Sequence, residues 1–158
     1  MNSHNNHLTI EKVGIKYGLL TCAGLVGYFL LMKAFGFEHQ LELRALNLLI
    51  LGSGVLASIK YFKGHTYHNM TYLRGLGAGL LTSMIAVISF ALLVFIYLTF
   101  IQPGFMEVIR ENEPFGVYLN PYNVTAIIIL EGIASGFMCS FAIMQYFKTS
   151  HLVNPVDK

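Results

Sequence analysis

Charged residues are scarce in this chain, and their scarcity is the first fact that restricts its class. Only 11% of the 158 residues are Asp, Glu, Lys or Arg, whereas 55% are hydrophobic. Because a typical soluble domain carries about 25% charged residues, the composition excludes an ordinary soluble fold. The net charge of +2 is too small to predict a nucleic-acid partner.

Motifs that would identify an enzyme or a cofactor-binding protein are also missing. The chain has no HExxH sequence, no phosphate-binding loop and no recognisable Ser, His and Asp set. No histidine lies inside an apolar run, which excludes the paired axial ligands of a membrane b-type haem. The two cysteines, Cys22 and Cys139, lie in apolar runs and are expected to behave as small apolar residues. We therefore expect a protein that is not an enzyme and holds no cofactor.

Four long apolar runs make up most of the chain, at residues 14–37, 43–62, 72–101 and 124–147. Each run is near or above the roughly 20 residues that a helix needs to cross the hydrocarbon of a bilayer. They leave no room for a separate soluble domain. The sequence thus predicts one all-α membrane domain over residues 1–158, an antiparallel bundle of four transmembrane helices in contact with lipid.

The distribution of cations predicts an orientation. Seven of the ten lie on the side that holds both termini and the loop between runs two and three: Lys12, Lys16, Lys60, Lys63, Arg74, Lys148 and Lys158. The other side holds Lys33, Arg44 and Arg110. Because cytoplasmic loops carry the excess of Lys and Arg, we expect both termini in the cytoplasm.

The outer segment 102–123 is the only substantial loop. Its apolar residues Phe105, Met106 and Ile109 alternate with polar ones at helical spacing, the polar set being Glu107, Arg110 and Glu111. This pattern predicts a short amphipathic helix along the outer interface. Such a helix could cap the bundle, or it could bind a partner or gate a path.

Glu131 is the one acid set well inside an apolar run. A carboxylate at bilayer depth costs about 2.5–3.5 kcal/mol on insertion scales, so it is a functional-site hypothesis by default. Glu131 lies about two turns below the outer end of the fourth run, so we expect it in the outer half of the membrane. Arg44 and Asn47 begin the second run on that same side, three residues apart and so on one helical face. We expect these three residues to form an intramembrane polar cluster, either as a structural lock, as a proton or cation site, or as a docking point.

Two GxxxG patterns concern helix packing. They pair Gly75 with Gly79 in the third run and Gly132 with Gly136 in the fourth. Small residues at this spacing let helices approach closely in lipid. These glycines either seal the bundle or form a face for a homo-oligomer.

Two H-x-x-H pairs occur outside the runs, His4 with His7 and His65 with His68, and His151 follows the last run. With no Cys or acid to complete a recognisable ligand set, we interpret them as exposed loop histidines and predict no metal site.

Three stretches, KYGLLTCAGLVGYFLLM, ELRALNLLILGSG and ISFALLVFIYLTFIQPGFMEVI, resemble a family of uncharacterised four-helix membrane proteins from Bacteroidota that is catalogued as a domain of unknown function. The resemblance covers about residues 12–147. It implies four helices and a bacterial inner-membrane location, and it brings no catalytic residues.

Two functions remain open at this point. The first is a non-catalytic membrane subunit, an accessory or assembly component that docks to a larger inner-membrane complex or to copies of itself. The alternative is a small oligomeric transporter or channel that uses Glu131. Transport would need further polar groups at the depth of Glu131, and the candidates are Ser53, Ser83, Ser89, Thr125 and Ser135.

Overall fold

A computed structural model describes residues 9–35, 41–65, 72–112 and 115–149, and the part it describes is built of helices. Their bounds are α1 Ile10–Ala34, α2 Leu41–His65, α3 Tyr72–Ile96, α4 Phe105–Asn112 and α5 Pro121–Thr149. A π-helical turn, Tyr97–Ile101, extends α3, and a 3-10 turn, Gly116–Tyr118, follows α4.

Four of these helices are long and apolar enough to cross a membrane, so the protein is a multi-pass membrane protein and the predicted four-span fold is confirmed. A helix of 25 residues such as α1 is about 37 Å long and exceeds the roughly 30 Å of hydrocarbon. The observed helices begin two to four residues earlier than the predicted runs where their starts differ. Phe37, the predicted end of the first run, lies outside the described residues.

We use "inner end" for the end of the bundle at Ile10, His65 and Tyr72, and "outer end" for the end at Ala34 and Pro121. The names follow the predicted orientation, in which both termini are cytoplasmic. That orientation remains a prediction.

α3 is the central helix, with α1 and α5 packed along it and α2 against all three. α1 approaches α3 through two glycines that the sequence did not single out as packing positions. A Cβ on Gly14 would lie 2.7 Å from the Leu81 side chain, and one on Gly18 would lie 2.8 Å from Ile85. Close contact at small residues supplies the dispersion energy that holds helices together in lipid.

The outer end is closed by the predicted amphipathic helix, which α4 confirms. Phe105 and Met106 are buried against α3, in a cluster with Val94 and Leu98, whereas the charged residues of α4 are exposed. α4 therefore caps the bundle, as the first of the two interpretations expected.

The connection from α4 to α5 is a tightly folded loop. A Cβ on Gly116 would lie 1.8 Å from the Arg110 carbonyl oxygen, so this position requires glycine. The Arg110 Nε donates to the Leu119 carbonyl at 2.9 Å. α5 then begins at Pro121, with the Asn120 side chain accepting a 2.8 Å hydrogen bond from the Asn123 backbone N–H, which is an N-cap followed by proline at the first helical position.

Candidate functional site

Glu131 lies on the exposed side of α5. Its neighbour Gly132 faces Val87, and Val87 is near the middle of the 30 residues from Tyr72 to Ile101. Glu131 therefore lies near mid-length of the bundle, deeper than the outer half in which the sequence placed it, and its side chain is exposed. Sequence reasoning identified the residue but could not identify the face of the helix on which it lies.

The predicted partners of Glu131 lie on α2. The side chain of Arg44 falls outside the described residues, so the expected Glu131–Arg44 pair remains a prediction. Asn47 is half-buried, and its buried Oδ1 has no hydrogen-bond partner within the described ranges. An unsatisfied buried amide oxygen costs about 1–3 kcal/mol. Asn47, in the outer half of α2, is therefore a polar feature of the bundle in addition to Glu131 on α5.

The exposed side of α5 forms a continuous apolar surface around Glu131. We call it the Glu131 face, and define it by Ile127, Leu130, Glu131, Ala134, Met138 and Phe141, all of which are exposed. Leu130 and Met138 are 75% and 71% exposed. Of the four spanning helices, α5 has the smallest share of buried residues.

The glycines of the two GxxxG patterns lie at helix contacts within the bundle. A Cβ on Gly136 would lie 2.4 Å from the Ser83 side chain, and one on Gly132 would lie 2.6 Å from Val87. Gly79 similarly faces Ser140 of α5 at 2.7 Å, and Gly75 is buried on α3. Gly79, Gly132 and Gly136 therefore lie where α3 and α5 are in contact.

Hydroxyl groups inside the bundle bind mostly to helix carbonyls. Thr82 Oγ1 lies 2.7 Å from both the Ala78 carbonyl and Ser58 Oγ, and Ser140 Oγ donates to the Gly136 carbonyl at 2.7 Å. Three of the serines and threonines considered for a transport path also donate to backbone carbonyls of their own helices. Ser53 donates to the carbonyl of Ile50, Ser83 to that of Leu80 and Thr125 to that of Pro121. Hydroxyls bonded in this way are satisfied within their own helices.

Only some of the histidines and cysteines considered in the sequence lie among the residues that the structure describes. His4, His7, His68 and His151 are outside the described residues, whereas His65 is exposed at the inner end of α2. Within the described ranges no three His, Cys, Asp or Glu side chains gather as metal ligands. Cys22 is buried, Cys139 is half-buried, and both are free thiols.

A polar cluster at the outer end was not found by sequence reasoning. Lys33 of α1 donates hydrogen bonds to the Tyr97 hydroxyl and to Gln102 Oε1, the latter at 2.6 Å. The Tyr97 hydroxyl also lies 2.6 Å from Gln102 Oε1. Phe29 and Phe105 enclose Tyr97, with ring centroids 5.4 and 6.0 Å away.

This cluster spans the π-helical turn, in which the Gln102 N–H donates to the Tyr97 carbonyl at 3.0 Å. Pro103 follows and has no N–H with which to continue the helix. Lys33 therefore ties the last turn of α1 to the irregular end of α3 and to the cap. The sequence showed Lys33 only as a cation at the end of an apolar run, since the separation of 64 residues from Tyr97 leaves no local signal.

Comparison with known families gives a match to a family model described as a protein of unknown function (DUF4199). It matches residues 12–113, which include α1 from its third residue onward, α2, α3 and α4. No curated protein and no solved structure matches the chain.

Proposed function

The chain belongs to the DUF4199 family of proteins of unknown function, and from the geometry above we propose that it is a non-catalytic membrane subunit. In this proposal it is an accessory component of a larger inner-membrane complex, and it binds a partner protein within the bilayer through the Glu131 face. The observation that carries the proposal is the position of Glu131, exposed on α5 at mid-length of the bundle.

The surroundings of Glu131 explain why a partner protein is expected at this face. Exposed Leu130 and Ile127 lie beside it, so the carboxylate is set in a surface that otherwise suits lipid tails. Intramembrane carboxylates usually face a bundle interior, a water-filled cavity or a pairing group. A neighbouring transmembrane helix would bury these exposed apolar residues, and a Lys, Arg or other donor on it at the same depth would contact the carboxylate.

A different protein fits this face better than a second copy of the chain. In a two-fold dimer the same patch of both subunits meets at the symmetry axis. Two copies joined through the Glu131 face would bring Glu131 close to Glu131, and charges of the same sign repel. A partner that presents a cation or a hydrogen-bond donor at this depth avoids that repulsion.

The transport alternative has weaker support. A path through the bundle would need polar groups that face a shared cavity with Glu131, whereas Ser83 and Thr125 donate to carbonyls of their own helices. Gly132 and Gly136 pack closely on α3, and Glu131 lies on the opposite, exposed side of α5.

Site-specific photocrosslinking in native membranes tests the proposal. A photoreactive residue at Met138, on the Glu131 face, is expected to give an adduct with one membrane protein. The matched control is Leu20 on α1, which is exposed to a similar extent, 64% against 71%, and is expected to give no such adduct. Glu131→Gln should reduce the yield of the Met138 adduct by about tenfold, which corresponds to a loss of roughly 1.4 kcal/mol of binding free energy.

The identified partner then permits a charge exchange. Glu131→Lys is expected to abolish the adduct, and the reverse change of the facing cation in the partner should restore it. Equal adducts from Met138 and Leu20, or an adduct unaffected by Glu131→Gln, would refute the docking proposal. A loss of ion flux in liposomes of purified Glu131→Gln protein would favour the transport alternative instead.

A further inference from the structure

The inner end of the α1–α2 contact carries a stack of aromatic and cationic side chains. The rings of Tyr17 and Tyr61 lie 5.4 Å apart, and the Lys16 amine lies 5.4 Å from the centroid of Tyr61 and 5.9 Å from that of Tyr17. His65 continues the stack, with its ring 4.2 Å from Tyr61 and its Nδ1 3.0 Å from the Tyr61 carbonyl, to which it can donate. We call this group, together with Lys12, the Lys16 seam.

Among the residues that the structure describes, cations at the seam outnumber acids. Lys12 and Lys16 are four residues apart on α1 and both are exposed, so they lie on one helical face and repel each other. Glu11 is the nearby acid in sequence, but it is one and five residues from these lysines. Neither separation is the three or four residues at which helical side chains meet. An anion placed between the two amines would relieve their repulsion.

The length of the uncharged part of α1 predicts that the seam lies at the depth of lipid headgroups. From Tyr17 to Met32, α1 has no charged residue, a length of about 24 Å within the hydrocarbon thickness of about 30 Å. Lys16 can therefore extend its amine to the interface, as lysines near helix ends do. Tyrosine rings are also typical of this level.

We propose that the Lys16 seam binds the headgroup of an anionic phospholipid. The phosphate would lie between the amines of Lys12 and Lys16, since basic pockets between transmembrane helices on the cytoplasmic side bind anionic headgroups. The ring faces of Tyr17 and Tyr61 would hold the Lys16 amine in place by cation–π attraction. This site is separate from the Glu131 face, and it stands whether or not that face binds a protein.

Native mass spectrometry of the purified full chain in detergent tests this site, with phosphatidylglycerol as the anionic probe and phosphatidylcholine as the neutral one. The wild-type chain is expected to bind phosphatidylglycerol more tightly by about tenfold or more, and Lys16→Gln to weaken that binding by about fivefold, as for one interfacial cation. Lys16→Arg should retain most of it.

Lys63 is the matched control, because it too is a lysine at the inner end with its amine over a ring, 4.7 Å from the centroid of Phe147. Lys63→Gln is expected to weaken phosphatidylglycerol binding by less than about twofold. Equal losses in the two variants would overturn the seam in favour of diffuse charge, and so would equal binding of both lipids by the wild-type chain.

Soluble glycerol phosphate distinguishes the membrane from a free anion as the source of the phosphate. At a concentration equal to that of the lipid, it should leave bound phosphatidylglycerol in place. Its displacement of the lipid would overturn the lipid proposal. Circular dichroism of each variant separates loss of the site from loss of the fold.

Discussion

Lys33 and Gly136 stabilise this bundle in two different ways. Lys33 adds a charged donor that joins Tyr97 to Gln102 at the outer end. Gly136 contributes by the absence of a side chain, since its backbone lies close enough to Ser83 that even a Cβ would be 2.4 Å from the hydroxyl. Neither contribution depends on the hydrophobic effect, because an apolar side chain is equally shielded from water by lipid and by a neighbouring helix.

Replacing Gly136 by Ala tests the close approach of α5 to α3. The added methyl group would overlap the Ser83 side chain, and overpacking of this kind costs about 1–3 kcal/mol. Thermal unfolding in detergent is expected to show a lower midpoint. Gly27→Ala is the control, because a Cβ there has no atom within 4 Å, and it should leave the midpoint unchanged or raise it by removing a helix glycine. Equal effects at both positions would contradict the packing role.

Replacing Lys33 by Met tests the outer polar cluster. The variant keeps the apolar stem but removes the donor to Gln102 Oε1, and loss of a hydrogen bond to a charged group costs about 1.5–3 kcal/mol. Hydrogen exchange of the backbone amides at 97–102 and 104 is expected to become faster than in the wild-type chain. Lys60→Met, an exposed lysine at the inner end, should leave their exchange unchanged. Unaltered exchange in both variants would mean that Lys33 does not stabilise the turn.

At the scale of elements, the eight-residue helix α4 helps to hold the outer ends of α1 and α3 together. It covers the outer end of α3 with Phe105 and Met106, and its first residue follows the π-helical turn and Pro103. π-Helical turns are rare and occur frequently at functional sites. Here the turn presents Tyr97 to Lys33 and Phe105 together, so the cap, α1 and α3 are joined at one place.

Phe105→Ala is expected to loosen this cap. The side chain is only 7% exposed, and truncation of a buried Phe costs about 3–5 kcal/mol because it leaves a cavity. The unfolding midpoint in detergent should fall clearly. Phe100→Ala is the control, since Phe100 is 75% exposed, and a comparable fall there would show that the effect comes from general loss of hydrophobicity.

At the scale of the whole molecule, the helices differ in how much they are covered by their neighbours. α3 packs against α1, α2 and α5 and has the largest share of buried residues, whereas α5 has the smallest. The features proposed to bind partners lie at different levels of this molecule, with the Glu131 face at mid-length and the Lys16 seam at the inner end.

Thiol labelling in intact cells tests the predicted orientation, on which the assignment of the seam to the cytoplasmic side depends. Glu107→Cys on α4 is expected to react with a membrane-impermeant maleimide from outside, because Glu107 is exposed at the outer end. Glu11→Cys on α1 should react only after permeabilisation. The reversed pattern would place both termini outside, in conflict with the positive-inside rule.

The fold was largely predictable from sequence, because a bilayer requires each spanning segment to satisfy its own backbone hydrogen bonds. Residues 72–101 were therefore recognisable as a span, although the change to π-helical geometry at Tyr97 had no local signal. The amphipathic spacing of Phe105 and Ile109 predicted α4 for the same kind of reason, since one face of a short helix must be apolar if it is to pack. The packing roles of Gly14 and Gly18 were missed because glycines are common in membrane helices and only the neighbouring helix shows which ones are in contact.

The sequence by itself determined the number of spanning helices, the short capping helix and the presence of one acid at bilayer depth, since each follows from hydrophobicity counted along the chain. Only the tertiary structure decided that Glu131 lies on the exposed side of α5, that Gly132 and Gly136 face α3, and that Lys33 meets Tyr97. The physical reason is that all four helices are apolar around most of their circumference. Hydrophobicity can therefore place a residue in the membrane, but the packing of one helix on another decides which way it faces.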